Sequence, residues 1–153
     1  MINLTDIETI EYISYIENHK QPVTKIGREL GLKPLQLAQH DLSKFRPDEF
    51  YPMGYAKFYV VSDKDRKQIN KAIVLHRNRN KHHPEFWGVD AVMPEKYIIE
   101  MLADWMAMSL YNTQSDDMTV WLENNIFRIQ KIMHPETFET LNKYLEKLGY
   151  VLL

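Results

Sequence analysis

Apolar side chains recur along this chain at helical spacing. In residues 4–19, Ile10 and Ile13 lie along one row, and Tyr12, Ile16 and His19 along another. Pro22 can open a second helix at its first turn, with Gly31 as a stop near Leu30. A third helix is predicted from Pro34 through LQLAQHDLSKF to Pro47. Pro47, Asp48 and Glu49 read as a fresh start into an aromatic-rich segment that Pro52 and Gly54 interrupt. Ser62 with Asp65 fits a capping box, which predicts a helix over 63–77. The stretch RNRNKHHPEFWG reads as a polar loop, and Pro94 then opens a helix through EKYIIEMLADWMAMSL. Helices near 116–132 and 135–148 follow, the latter with Phe138, Leu141, Leu145 and Leu148 at core spacing and Gly149 behind them. No run alternates convincingly in the manner of a strand. The pattern predicts an all-α protein, a compact helical bundle folded as a single domain over 1–153.

Composition narrows the chemistry. The 153 residues include five glycines, below average usage of ~7%, which points away from a turn-rich β-protein. With no cysteine, a disulfide framework, a zinc ribbon, a redox CxxC and a thiol nucleophile are all excluded. Nineteen Lys+Arg against 21 Asp+Glu leave a net charge of −2, which argues against general nucleic-acid binding. The first residues, MINLTDIETIEYIS, carry acids where a targeting segment has a basic region, and no stretch approaches a membrane span. A cytoplasmic protein without a membrane partner is the expectation. His, carboxylates, Lys, hydroxyls and a metal or cofactor remain.

Several of these groups sit where an apolar face is predicted. Asp41 shares a predicted helix face with Leu37, Ala38 and Phe45. His76 completes a stripe with Ile69, Ala72 and Ile73, and Asp104 falls among Tyr97, Met101 and Met108. His19 ends the Tyr12–Ile16 row. An unpaired carboxylate facing a core costs several kcal/mol. One cation shared by nitrogen and oxygen donors from separate helices satisfies all of these groups together.

A histidine, an adjacent His-Asp doublet and a distant Asp, here His19, His40-Asp41 and Asp104, resemble the HD-domain superfamily of metal-dependent phosphohydrolases. The doublet continues as HDLSK, which looks like the HDxxK form in which the lysine, here Lys44, meets substrate phosphate. The short-chain nucleotidase branch tends to carry glutamate at that place. HDLSKF, the histidine-rich loop and MLADW together are similar to a small family of HD-like proteins from bacteria and their phages. The resemblance covers most of residues 15–110. It implies a divalent transition metal ion (Mn, Fe, Co, Ni or Zn) held by His19, His40, Asp41 and Asp104. Asp41 and Lys44 would then serve catalysis, water would attack phosphorus at the metal, and the substrate would be a small phosphorylated metabolite such as a nucleotide.

The stretch HRNRNKHH, residues 76–83, is open to two functional readings beside that of a solvated basic loop. His76 with His82 or His83 would supply a second metal position, as in some branches of the superfamily. Alternatively Arg77 and Arg79, with Lys81, would clamp a phosphate. Asp48 and Glu49 complement a helix dipole or act as acid or base, and His134 is read as structural. Two other functions remain as alternatives: a di-iron oxygenase of the HD type, and a non-catalytic interaction module. The apolar end Tyr150-Val151-Leu152-Leu153 is compatible with internal packing or with a homo-oligomer.

Overall fold

A computed structural model describes residues 2–151 and, among these, contains helices and no strand. The elements are α1 (Asp6–Glu29), α2 (Pro34–Gln39), a 3₁₀ turn (Leu42–Phe45), α3 (Pro47–Phe58), α4 (Asp63–Arg79), α5 (Pro84–Trp87), α6 (Glu95–Thr113), α7 (Thr119–Ile132) and α8 (Pro135–Lys147). The expected all-α class is what the chain adopts. Among the described residues, no helix is long and apolar enough to cross a membrane. Leu152 and Leu153 of the apolar end lie outside the described residues; within them, Tyr150 accepts a hydrogen bond from the Met118 N–H, and Val151 is exposed.

The start and stop signals mostly act as read. Ser62 caps α4 by accepting from the Asp65 N–H. Gly31, at φ 91°, ends α1: its N–H donates to the Arg28 carbonyl and that of Leu32 to Gly27, at 3.0 and 2.8 Å. His134 caps α8 through Nδ1, consistent with a structural role.

Two prolines depart from expectation. Pro22 lies inside α1, and α3 runs unbroken through Pro52 and Gly54. An internal proline costs about 3 kcal/mol through its missing N–H and ring clash. Around Pro22 the cost is met by burial on both sides: Tyr12, Ile16 and His19 precede it, and Val23, Ile26 and Gly27 follow on one continuous face. Ile10, which shares a row with Ile13, is exposed. Gly54 is needed for a close approach, because a Cβ there would stand 2.8 Å from both Leu4 Cδ1 and Tyr12 Cδ1.

The interior falls into three apolar groups, two of which include residues of α6. Leu102, Leu122, Ile129, Leu141 and Leu145 anchor the packing of α6 with α7 and α8. Each such buried aliphatic side chain contributes about 1.5–3 kcal/mol. Tyr12 and Ile16 of α1 pack against Phe50 of α3. Between these groups, Val23 and Ile26 of α1 meet Ala103 and Ala107 of α6. The two alanines are fully buried, and small side chains let the helix axes approach closely. The polar cluster described next lies at this seam.

Candidate metal centre

The third predicted helix ends before the doublet. Instead of continuing to Phe45, α2 stops at Gln39, and Asp41 takes φ 54°, ψ 17° before the 3₁₀ turn. Left-handed backbone costs a non-glycine residue about 1–2 kcal/mol, least for Asn and Asp. His40 and Asp41 therefore stand at a break, and the helix face assigned to Asp41 beside Leu37, Ala38 and Phe45 does not exist. Both side chains are nonetheless buried. The strain is local to the residue on which most of the cluster converges.

His19 of α1 and Asp104 of α6 meet through Nε2 and Oδ1 at 2.7 Å. His40 Nε2 lies 3.5 Å from Asp104 Oδ1 and 3.6 Å from Asp41 Oδ2. The four residues offer ligand atoms that all fall within 4.8 Å of one another. Two further groups meet the same condition: Asp41, His76 and His83, which shares Asp41 with the first, and His40, His82 and Glu100, which shares His40. Asp41 Oδ1 is 3.4 Å from His76 Nε2 and 3.3 Å from His82 Nε2. Four converging side chains, His40, Asp41, His82 and His83, each carry a buried polar atom with no hydrogen-bond partner: Nε2 of the three histidines and Oδ1 of Asp41. Native interiors rarely leave several such atoms together, and a divalent cation among neutral imidazoles and carboxylates would satisfy them.

Two further carboxylates hold the cluster from behind. Glu49, fully buried on α3, receives His76 Nδ1 at 3.2 Å, Ser43 Oγ at 2.8 Å and Arg79 at 3.0 Å. Glu100, one turn before Asp104 on α6, faces His40 Nδ1 at 2.9 Å and His82 Nδ1 at 3.3 Å. Asn80 is buried beside His76, donating to its backbone carbonyl at 2.8 Å.

The electrostatics follow from burial and charge crowding. Burial raises the Asp41 carboxyl, but His40, Lys44, His76 and His82 outweigh it and hold it well below the usual carboxylate range. Asp104 is likewise held well below that range, as its bonds to His19 and His40 exceed the cost of burial. For His40, burial opposes charge, yet Asp41, Asp104 and Glu100 push it up to about 10. His83 goes the other way: burial, then the neighbouring His82 and His76, lower it to about 3, so its imidazole is neutral. Lys44 donates to Asp41 Oδ2 at 2.8 Å; burial disfavours its charge, but Asp41 raises its pKa above the usual lysine value.

His19, His40, Asp41, Lys44, His76, His82, His83 and Asp104 are thus brought together. The arginines are placed differently. The Arg79 guanidinium is engaged by Asp48, with two bonds of 2.7 Å, and by Glu49, so its charge is already matched within the protein. Arg77 lies 3.6 Å from Glu85 and is 43% exposed. Arg79 is thus committed to carboxylates of the protein, whereas Arg77 stays partly exposed. Part of the expected loop is helical, since α4 extends through Arg79 and Pro84–Trp87 forms α5. The sequence reading did not single out Glu100. Its signal was available: it stands four residues before Asp104 among Ile98, Ile99 and Met101. A cavity of about 740 Å³ reaches His82 and Glu100 from the side of α2 and the start of α6, with Lys33, Lys81 and Lys96 around it.

Fold and site together define a helical protein with a buried histidine–carboxylate centre. Residues 8–147 match the family described as "Family of unknown function (DUF5662)", and the chain belongs to that family. No curated protein and no solved structure matches it.

Proposed function

We propose that the protein is a metal-dependent phosphohydrolase acting on a small phosphorylated metabolite, with nucleotides as the favoured class. The observation that carries this reading is the convergence of His19, His40, Asp41 and Asp104 within 4.8 Å, around atoms left without partners. These four residues would hold a divalent transition metal ion. Such an ion supplies Lewis-acid polarisation of a phosphoryl oxygen and lowers the pKa of water towards neutrality.

The remaining roles belong to the chain. Asp41 is presented by the break between α2 and the 3₁₀ turn, which lets its two oxygens face different partners. Lys44 stays charged beside it, and an ammonium has three donors, so donors remain for a phosphate oxygen. Fixed positive charge of this kind stabilises charge developing on transferred phosphoryl oxygens. Lys33, Lys81 and Lys96 around the adjoining cavity support an anionic substrate.

The test is metal analysis of the purified protein, followed by phosphate release from nucleotides and simple phosphate esters with each candidate ion. Stoichiometric metal and turnover that both vanish in His40→Ala are expected. Metal-free protein that takes up no ion and hydrolyses nothing overturns the proposal and favours a non-catalytic interaction module. A second reading, a di-iron oxygenase, is favoured by the second group of Asp41, His76 and His83. Two irons per chain with oxygen consumption, and no phosphate release, would select it.

A further inference from the structure

We infer that Glu100 is a positioning residue that sets two histidines at once, holding the Nδ1–H of both His40 and His82 so that both Nε2 atoms face the Asp41 and Asp104 carboxylates. The inference builds on the reading of this cluster as a metal centre, and it adds His82 to the four residues of that reading.

Glu100 is 4% exposed, and its Oε1 is the atom nearest both rings, 2.9 Å from His40 Nδ1 and 3.3 Å from His82 Nδ1. Its other oxygen accepts from Gln36 Nε2 at 2.7 Å, and the same amide donates to the Lys96 carbonyl at 3.0 Å. The carboxylate is therefore held at both ends. An ionised carboxylate only accepts, so each Nδ1 facing it carries the hydrogen. A ring that ligates a metal is neutral, so with its hydrogen held on Nδ1 it presents its lone pair at Nε2. The two Nε2 atoms are the ones left without partners, and they point inward. His82 Nε2 is 3.3 Å from Asp41 Oδ1 and 3.7 Å from Asp104 Oδ2, while His40 Nε2 lies 3.6 and 3.5 Å from the same two carboxylates. The rings stand 4.4 Å apart, so one carboxylate spans both.

Helical periodicity explains the arrangement. Glu100 and Asp104 are one turn apart on a single face of α6, so one helix offers a carboxylate to Nδ1 and another towards Nε2. The geometry also separates the two adjacent histidines. His82 is tied to Glu100, whereas His83 packs beside His76 and His82 with ring centroids 4.9 and 4.3 Å away. Glu49 does the corresponding work for His76 alone, with an Nδ1 contact of 3.2 Å, and provides an internal control. Carboxylates that orient metal-ligating histidines govern metal affinity by about 10–100-fold.

The experiment is long-range ¹H–¹⁵N correlation spectroscopy of histidine-labelled protein, metal-free and with zinc, for wild type, Glu100→Ala, Glu100→Gln and Glu49→Gln. In metal-free wild type, protected Nδ1 protons are expected on His40 and His82. Glu100→Ala loses both and leaves His76 unchanged, and zinc affinity falls by about 10–100-fold. Glu100→Gln, the fallback should the alanine variant not fold, keeps an acceptor oxygen. It shifts the two Nδ1 protons together and restores part of the affinity. Glu49→Gln moves His76 alone. Nδ1 protons of His40 and His82 that ignore both Glu100 variants overturn the inference, as does an equal response of all three histidines. Failure of the metal reading is seen separately, as wild type that binds no zinc while the metal-free spectra still follow Glu100.

Discussion

His19 and Asp104 are 85 residues apart in the chain and 2.7 Å apart in the fold, joined across the seam of α1 and α6. The contact depends on the fully buried Ala103 and Ala107, which bring the α6 backbone close to Val23 and Ile26 of α1. His19 Nδ1 is buried without a partner, so the ring is fixed chiefly from its Nε2 side. A single packing decision between two helices thereby creates one edge of the centre.

Asp41 belongs to two of the three candidate ligand groups, whereas His83 belongs to one. Asp41→Ala should remove metal from both groups that contain it, while His83→Ala should spare the group formed by His19, His40, Asp41 and Asp104. Elemental analysis after loading with zinc or manganese reads the difference. Equal loss in both variants would contradict the shared role of Asp41.

His83 predicts a pH dependence with a definite sign. Its folded pKa is lowered to about 3 from 6.5, so below pH 6.5 the unfolded chain binds the proton and the folded chain does not. Its contribution to stability is therefore present above pH 6.5 and is lost as pH falls towards 3, at about 1.4 kcal/mol per unit. Denaturant unfolding of metal-free wild type and His83→Gln at stepped pH checks this. The stability difference between them should shrink or reverse on acidification.

Arg79 neutralises Glu49, a fully buried carboxylate that also receives His76. Arg79→Ala should lower the thermal midpoint by leaving that charge without its cation, and Glu49→Gln in the same chain should recover part of the loss. A double variant no better than Arg79→Ala would show that the pair does not act through charge.

Gly27 packs against Leu37, and a Cβ there would collide with Leu37 Cδ2 and come within 3.2 Å of Leu32 Cδ1. Leu37 is buried three residues before His40. Gly27→Ala should cost about 1–3 kcal/mol and weaken zinc binding by displacing α2. Gly31→Ala meets no atom but must hold φ 91°, so it should cost about 1 kcal/mol and leave zinc binding alone. Thermal melts and zinc titration of the two variants separate the effects.

Local signals carried the helices. Apolar spacing and the starts at Pro34, Pro47, Ser62, Pro94 and Pro135 follow from backbone geometry that neighbouring residues settle among themselves, as do the stops at Gly31 and Gly149. The same spacing exposed His19, His76 and Asp104 as polar groups on buried faces, because periodicity reports which side of a helix faces inward. Where energies local and distant compete, the tertiary structure decided. Pro22 and Pro52 break helices by local preference, yet both lie inside helices, and around Pro22 the packing outweighs the missing hydrogen bond. Asp41 would continue a helix by local preference, but it takes a left-handed conformation amid contacts from Lys44, His76 and His82. Arg77 and Arg79 read as free cations until Glu85, Asp48 and Glu49 arrive from other segments. Glu100 read as one acid among many, and only the approach of α2 and of His82 to α6 makes it the acceptor for two histidines. Desolvation and charge pairing act through space, so their outcome is set by which helices meet.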